Sequence, residues 1–187
     1  MYLTTLPHQP LQPIQEMQRE VNTLLQSAGY RVDWRQKGES SQSVEGASVA
    51  VLQLRGVCQV PENPGAVEPL TKNVSLASSA VVDGEVLPFS WLECETLTKM
   101  LSPFLALEPG AKRDFLYGRA MGRLVAHEFL HVLANSREHD HAGVGKPSFS
   151  ARDVLSERFQ FESASLLRTA ADGSLDPDLD TEDAARR

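Results

Sequence analysis

An α+β fold is what this chain predicts, because helix-spaced apolar stripes and alternating, strand-like runs both recur along it. Three stretches carry that expectation. Ile14, Met17, Val21, Leu24 and Ala28 recur at helical spacing. Leu76 to Val82 and Glu85 to Phe89 flank Asp83-Gly84, the strongest hairpin signal in the chain. A long helical pattern then covers about 112–135. At 187 residues a single domain is the default, with enough chain to bury a sizeable core. We expect that domain over 1–171, followed by an acidic, apolar-poor and disordered tail over 172–187.

In chain order, residues 2–6 alternate weakly and predict a first strand. Pro7, Pro10 and Pro13 punctuate the entry to a helix over about 13–28, whose apolar stripe is core and whose C-terminal cap is Gly29. Tyr30 to Trp34 alternates as a strand, and 36–48 is a polar, Gly/Ser-rich loop. Val49 to Leu54 reads as a more buried strand ended by Gly56, and 61–69 as an irregular, proline-rich loop. After the hairpin, a short helix over about 92–101 is expected to close at Ser102-Pro103. Beyond the long helix, Ala142 to Lys146 is a loop, and Ser150 with Asp153 forms a capping box for a helix over about 151–158. A last helix is expected at 162–171.

Composition narrows the function classes. The chain is 41% hydrophobic and 23% charged, as in ordinary globular proteins, and its net charge of −7 without a basic patch argues against nucleic acid as a partner. No apolar run approaches the roughly 20 residues needed to cross a bilayer. The start, MYLTTLPHQP, shows no signal peptide. Cys58 and Cys94 are the only cysteines, and their spacing is wrong for a structural zinc site. They read equally as buried thiols or as a disulfide closing a loop of about 37 residues, which would contribute about 3–4 kcal/mol. A bridge would imply an extracytoplasmic, oxidising compartment. Nothing in the chain calls for more than a soluble monomer.

The chemistry concentrates in His127-Glu128-Phe129-Leu130-His131, an HExxH inside the long helical pattern. Residues four apart on a helix stand one turn above each other, so both imidazoles project from one face and can hold one metal ion. Glu128, beside the first histidine, is placed to reach a water rather than the metal. Zinc takes neutral imidazole nitrogens and, when catalytic, keeps an open position; a nearby carboxylate can then act as general base. Two histidines and a glutamate on one buried face are costly unless a metal gathers them.

A third ligand is needed, and Arg137-Glu138-His139-Asp140-His141 supplies candidates just past the helix. The helix is expected to stop near Asn135, which tolerates the left-handed conformation. His139 is the favoured third ligand; His141, or Glu157 or Glu162 on a following helix, are the alternatives. Asp140 would orient a ligand or cap the loop.

HEFLH, a helix stop and then His-Asp resemble the zincin metallopeptidases, in particular the metzincin-like branch and its small predicted bacterial zinc-dependent proteases. The order of helix, strands, hairpin and active-site helix over about 2–160 is similar too, with 127–141 carrying the motif residues. Where that branch has glycine and its third histidine, this chain has Ala134 and Arg137, and no methionine follows Met121 to form a Met-turn. We expect loop 144–149 to replace that turn, with Val144 or Phe149 as the apolar floor. The resemblance implies a mixed twisted sheet with an antiparallel edge strand, a backing helix and an active-site helix. It implies one zinc per chain on His127, His131 and His139, with Glu128 as general base. The implied partner is a peptide or protein substrate, laid along the edge segment Leu76 to Ala80, and His141 is a candidate oxyanion donor. The absent glycine and Met-turn keep open a second expectation, a zincin-like scaffold that binds or regulates without catalysis.

Overall fold

Leu52 and Leu54, two residues apart on one strand, turn to the same side of a sheet and are buried there, while Gln53 and Arg55 face outward. That inner side is what the helices cover. A computed structural model describes residues 1–36, 48–63 and 74–161. Within them the fold is α+β, with strands β1 (Tyr2–Thr4), β2 (Arg35–Gln36), β3 (Val51–Arg55), β4 (Ala77–Val82) and β5 (Glu85–Glu93). The sheet order is β2-β1-β3-β5-β4. β1 pairs in parallel with β2 and β3, β3 pairs in parallel with β5, and β4 pairs antiparallel to β5. β4 is thus an edge strand, joined to β5 by a turn in which Asp83 (φ 52°) and Gly84 (φ 90°) both have positive φ, as a type I′ turn requires.

Helix α1 (Leu11–Ser27) ends as expected at Gly29, φ 86°. The N–H of Gly29 bonds to Gln26 O and that of Tyr30 to Leu25 O, the paired bonds of a Schellman ending. This moves the next strand. Tyr30 to Trp34 was expected to be extended and paired, yet pairing begins only at Arg35, because the Tyr30 N–H is spent on the helix end. Trp34 instead donates its indole N–H to Asn22 of α1 at 2.8 Å.

Helix α2 (Cys94–Leu105) runs past the expected stop, with Pro103 inside its last turn. Leu101 and Leu105, one turn apart, are both fully buried, and burying a leucine contributes about as much as the one helical bond that a late proline removes. Cys58 and Cys94 form a disulfide, settling the open choice between bridge and thiols. It ties the segment after β3 to the start of α2.

Helix α3 (Gly110–Leu133) is the centre of the molecule, lying against α1, β5 and β4. Its approach to α1 depends on Gly118 and Gly122. A Cβ on Gly118 would stand 2.5 Å from Glu16 Cβ and from Pro13 O, and one on Gly122 would stand 2.6 Å from Glu20 Cβ. Alongside them Arg123, 2% exposed, ion-pairs with Glu20 at 2.8 Å.

Past α3, the expected loop contains a 3-10 turn over Gly143–Gly145. The capping box at Ser150 and Asp153 is present, opening α4 (Ala151–Leu155). That helix is shorter than the expected 151–158, because Arg123 donates to the carbonyls of Val154 (2.8 Å) and Ser156 (2.6 Å) and draws the chain out of helical register. The expected helix 162–171 and tail 172–187 lie outside the described residues. No helix among the described residues is long and apolar enough to cross a membrane.

Candidate metal centre

His127 and His131 both sit on the buried stretch of α3, one turn apart as the spacing required. Each ring is fixed from behind. The Nδ1–H of His127 donates to Val144 O at 2.7 Å, and that of His131 to Ser136 O at 2.7 Å. A carbonyl can only accept, so each ring carries a proton on Nδ1 and turns its Nε2 toward the other. The two Nε2 atoms stand 3.1 Å apart.

Two imidazole lone pairs face to face at that distance repel, so the contact calls for a cation between them, either a proton on one Nε2 or a metal ion beside both. Nitrogens about 2.0–2.1 Å from one tetrahedral zinc are separated by roughly 3.3 Å, so the pair is set almost at the spacing of a shared ion. Burial keeps the His127 ring neutral near neutral pH. Burial first, and then the charge of His131, push His127 down to about 4, against the raising effect of the Val144 carbonyl.

The turn after α3 brings in the third ring. Asn135 adopts φ 39°, and the N–H groups of Asn135 and Ser136 bond back to Val132 O and His131 O, so the helix stops where expected. This turn puts Ser136 O under His131 and reverses the chain. His139 then comes back over the pair, its ring 4.8 Å from that of His131 and 5.4 Å from that of His127, centre to centre. One ligand atom from each of His127, His131 and His139 lies within 4.8 Å of the others, a set that could hold a metal ion. His139 is the exposed member, so the cluster is open to solvent on its side.

The remaining candidates fall elsewhere. His141 is exposed and outside the cluster. Glu157 is exposed and lines a charged groove of about 300 Å³ together with Glu16, Arg19 and Glu20. Glu162 lies outside the described residues. Asp140 is buried, its N–H bonded to Gly145 O at 2.7 Å, which closes the loop that carries both His139 and Val144. The acceptors that orient His127 and His131 are main-chain carbonyls, the role considered for Asp140. Val144 is fully buried and Phe149 meets His127 edge-on at 5.2 Å, so both expected floor residues lie at the site.

Glu128 reaches toward β4. Its carboxylate accepts a hydrogen bond from Ser79 Oγ at 2.8 Å. Burial pushes it up to about 7, offset in part by that bond. The sequence marks Ser79 only as part of an edge segment; no local pattern pairs it with a residue 49 positions away. Comparison of the chain with family models found no match, and comparisons with curated proteins and with solved structures found none either.

Proposed function

We propose that this protein is a zinc-dependent metallopeptidase of zincin-like architecture, with His127, His131 and His139 as the metal ligands and Glu128 as general base. The observation that carries the reading is the 3.1 Å approach of two Nε2 atoms, each ring locked by a carbonyl, with a third imidazole beside them. Zinc bound there would supply Lewis acidity, making water easier to deprotonate and a carbonyl easier to attack.

The chain's own groups account for the rest. Glu128 is 6% exposed and stands next to the ligands without belonging to their cluster, which leaves its carboxylate available for a proton. With a pKa near 7, it can take a proton from water and return it to a leaving amine nitrogen around neutral pH. β4 lies at the sheet edge beside α3, so an extended peptide can add to it as a further strand and run past Glu128. The Cys58–Cys94 bridge supports an oxidising, extracytoplasmic setting.

The test is metal content together with proteolysis. Protein reconstituted with zinc and dialysed should retain one zinc per chain and cleave a peptide library, and Glu128→Gln should keep the zinc while losing cleavage. Equal cleavage by wild type and Glu128→Gln would overturn the role of Glu128. Bound zinc without cleavage of any library member would instead favour the binding or regulatory scaffold.

A further inference from the structure

We infer that Ser79 is a positioning residue, whose hydroxyl holds the Glu128 carboxylate on the β4 side of α3 and so prevents it from becoming a fourth metal ligand. The inference rests on reading the three histidines as a metal site. Glu128 directly follows His127, and successive helical side chains are only about 100° apart around the axis. A flexible two-methylene arm at that position has the reach to swing toward an ion. In the structure it is tethered to β4, with Oε2 accepting from Ser79 at 2.8 Å and standing outside the cluster of histidine nitrogens.

The tether is itself braced. Ser79 lies opposite Ser90 in the antiparallel ladder, and the two hydroxyls are 2.8 Å apart. Ser79 has one proton and two nearby acceptors on Glu128, the carboxylate at 2.8 Å and the main-chain oxygen at 3.3 Å. The charged, closer oxygen is the stronger acceptor, so the Ser79 proton goes there. Ser90, 3% exposed, then donates its own proton to Ser79 Oγ. The result is a chain of bonds running Ser90 to Ser79 to Glu128, rooted in the sheet. The strand register slips between Ser79 and Val81, and irregularities of this kind re-aim side chains near functional sites.

Cobalt(II) substituted for zinc tests this without relying on turnover, because its visible bands change in position and intensity when a carboxylate joins or displaces a bound water. We expect Ser79→Ala to shift those bands from their wild-type position and to bind Co2+ roughly tenfold more tightly, about the equilibrium equivalent of one charge-assisted hydrogen bond released to ligation. Ser79→Thr, which keeps the hydroxyl, should match wild type in both readouts. Adding Ser79→Ala to Glu128→Gln should change neither. An unchanged spectrum and affinity in Ser79→Ala would overturn the inference, as would the same change appearing in the Glu128→Gln background, which would mark Ser79 as structural support. Failure of the wild type to bind Co2+ at all would overturn the metal reading, and this inference with it.

Discussion

Asn135 Oδ1 accepts a hydrogen bond from the main-chain N–H of Val86 at 2.9 Å. One residue thereby ends α3 with its backbone, at φ 39°, and ties that end to the hairpin with its side chain. The metal loop starts from this junction, so the two roles can be separated by mutation. Asn135→Gly keeps the left-handed turn and loses the bond, leaving the N–H of buried Val86 without its partner; we expect a cost of about 1–2 kcal/mol. Asn135→Ala adds the strain of a left-handed alanine, another ~1 kcal/mol. Denaturant unfolding should rank wild type above Asn135→Gly and that above Asn135→Ala; equal stabilities of the two variants would show that the turn carries no strain.

The contact between α1 and α3 makes an opposite test of helix propensity. Alanine is the better helix former by about 0.8–1 kcal/mol, so Gly122→Ala would stabilise an exposed helix. Here the new methyl would stand 2.6 Å from Glu20 Cβ and 2.8 Å from Met17 O, and backbone cannot be pushed aside cheaply. We expect a net loss of about 1–3 kcal/mol, and a similar loss for Gly118→Ala, read as lower midpoints in thermal or urea unfolding. A gain in stability for either variant would mean that the helices are not in this close contact.

These two relationships mark where the chain could be read in advance and where it could not. Asn135, Gly29 and Asp83-Gly84 were legible because each position needs a backbone conformation that few residues tolerate, which is a local constraint. His127 and His131 were legible for the same reason: spacing on one helix decides which side chains share a face. Gly118 and Gly122 stand four apart in plain view, yet nothing local says which helix they meet. Ser79 pairs with Glu128 only because β4 is laid at the sheet edge beside α3, and Arg123 shortens α4 from another element altogether. Pairing of distant segments is decided by how the whole inner face of the sheet is covered, and no window of sequence contains that information.

An ion that binds the folded chain and not the unfolded one stabilises it by mass action, about 2.7 kcal/mol when free metal is a hundredfold above its dissociation constant. Zinc should therefore raise the unfolding midpoint, and a chelator should return it to the metal-free value. His127→Ala and His131→Ala should abolish the zinc response, since each takes away half of the buried pair. His139→Ala should retain a weaker one, because the exposed third ring adds to a pair already in place. A zinc response in His139→Ala equal to that of wild type would remove His139 from the ligand set.

Buried Glu128 gives the metal-free protein a pH dependence whose sign can be stated. Its folded pKa is raised from 4.5 to about 7, so the carboxyl is more comfortable neutral in the fold than ionised. The stability associated with the neutral group is fully present below pH 4.5 and is lost as pH rises through about 7. His127 runs the other way: lowered from 6.5 to about 4, it contributes stability above pH 6.5 that is lost as the pH falls toward 4. Glu128→Gln keeps His127 and removes only the carboxyl, so the histidine contribution cancels when the variant is compared with wild type. The metal-free variant should gain on metal-free wild type steadily between pH 4.5 and pH 8, by about 3 kcal/mol in all. Chemical denaturation at four or five pH values in chelator measures that difference directly. A difference that stays flat across the range would mean that Glu128 is as well solvated in the folded chain as in the unfolded one, contrary to its burial behind β4.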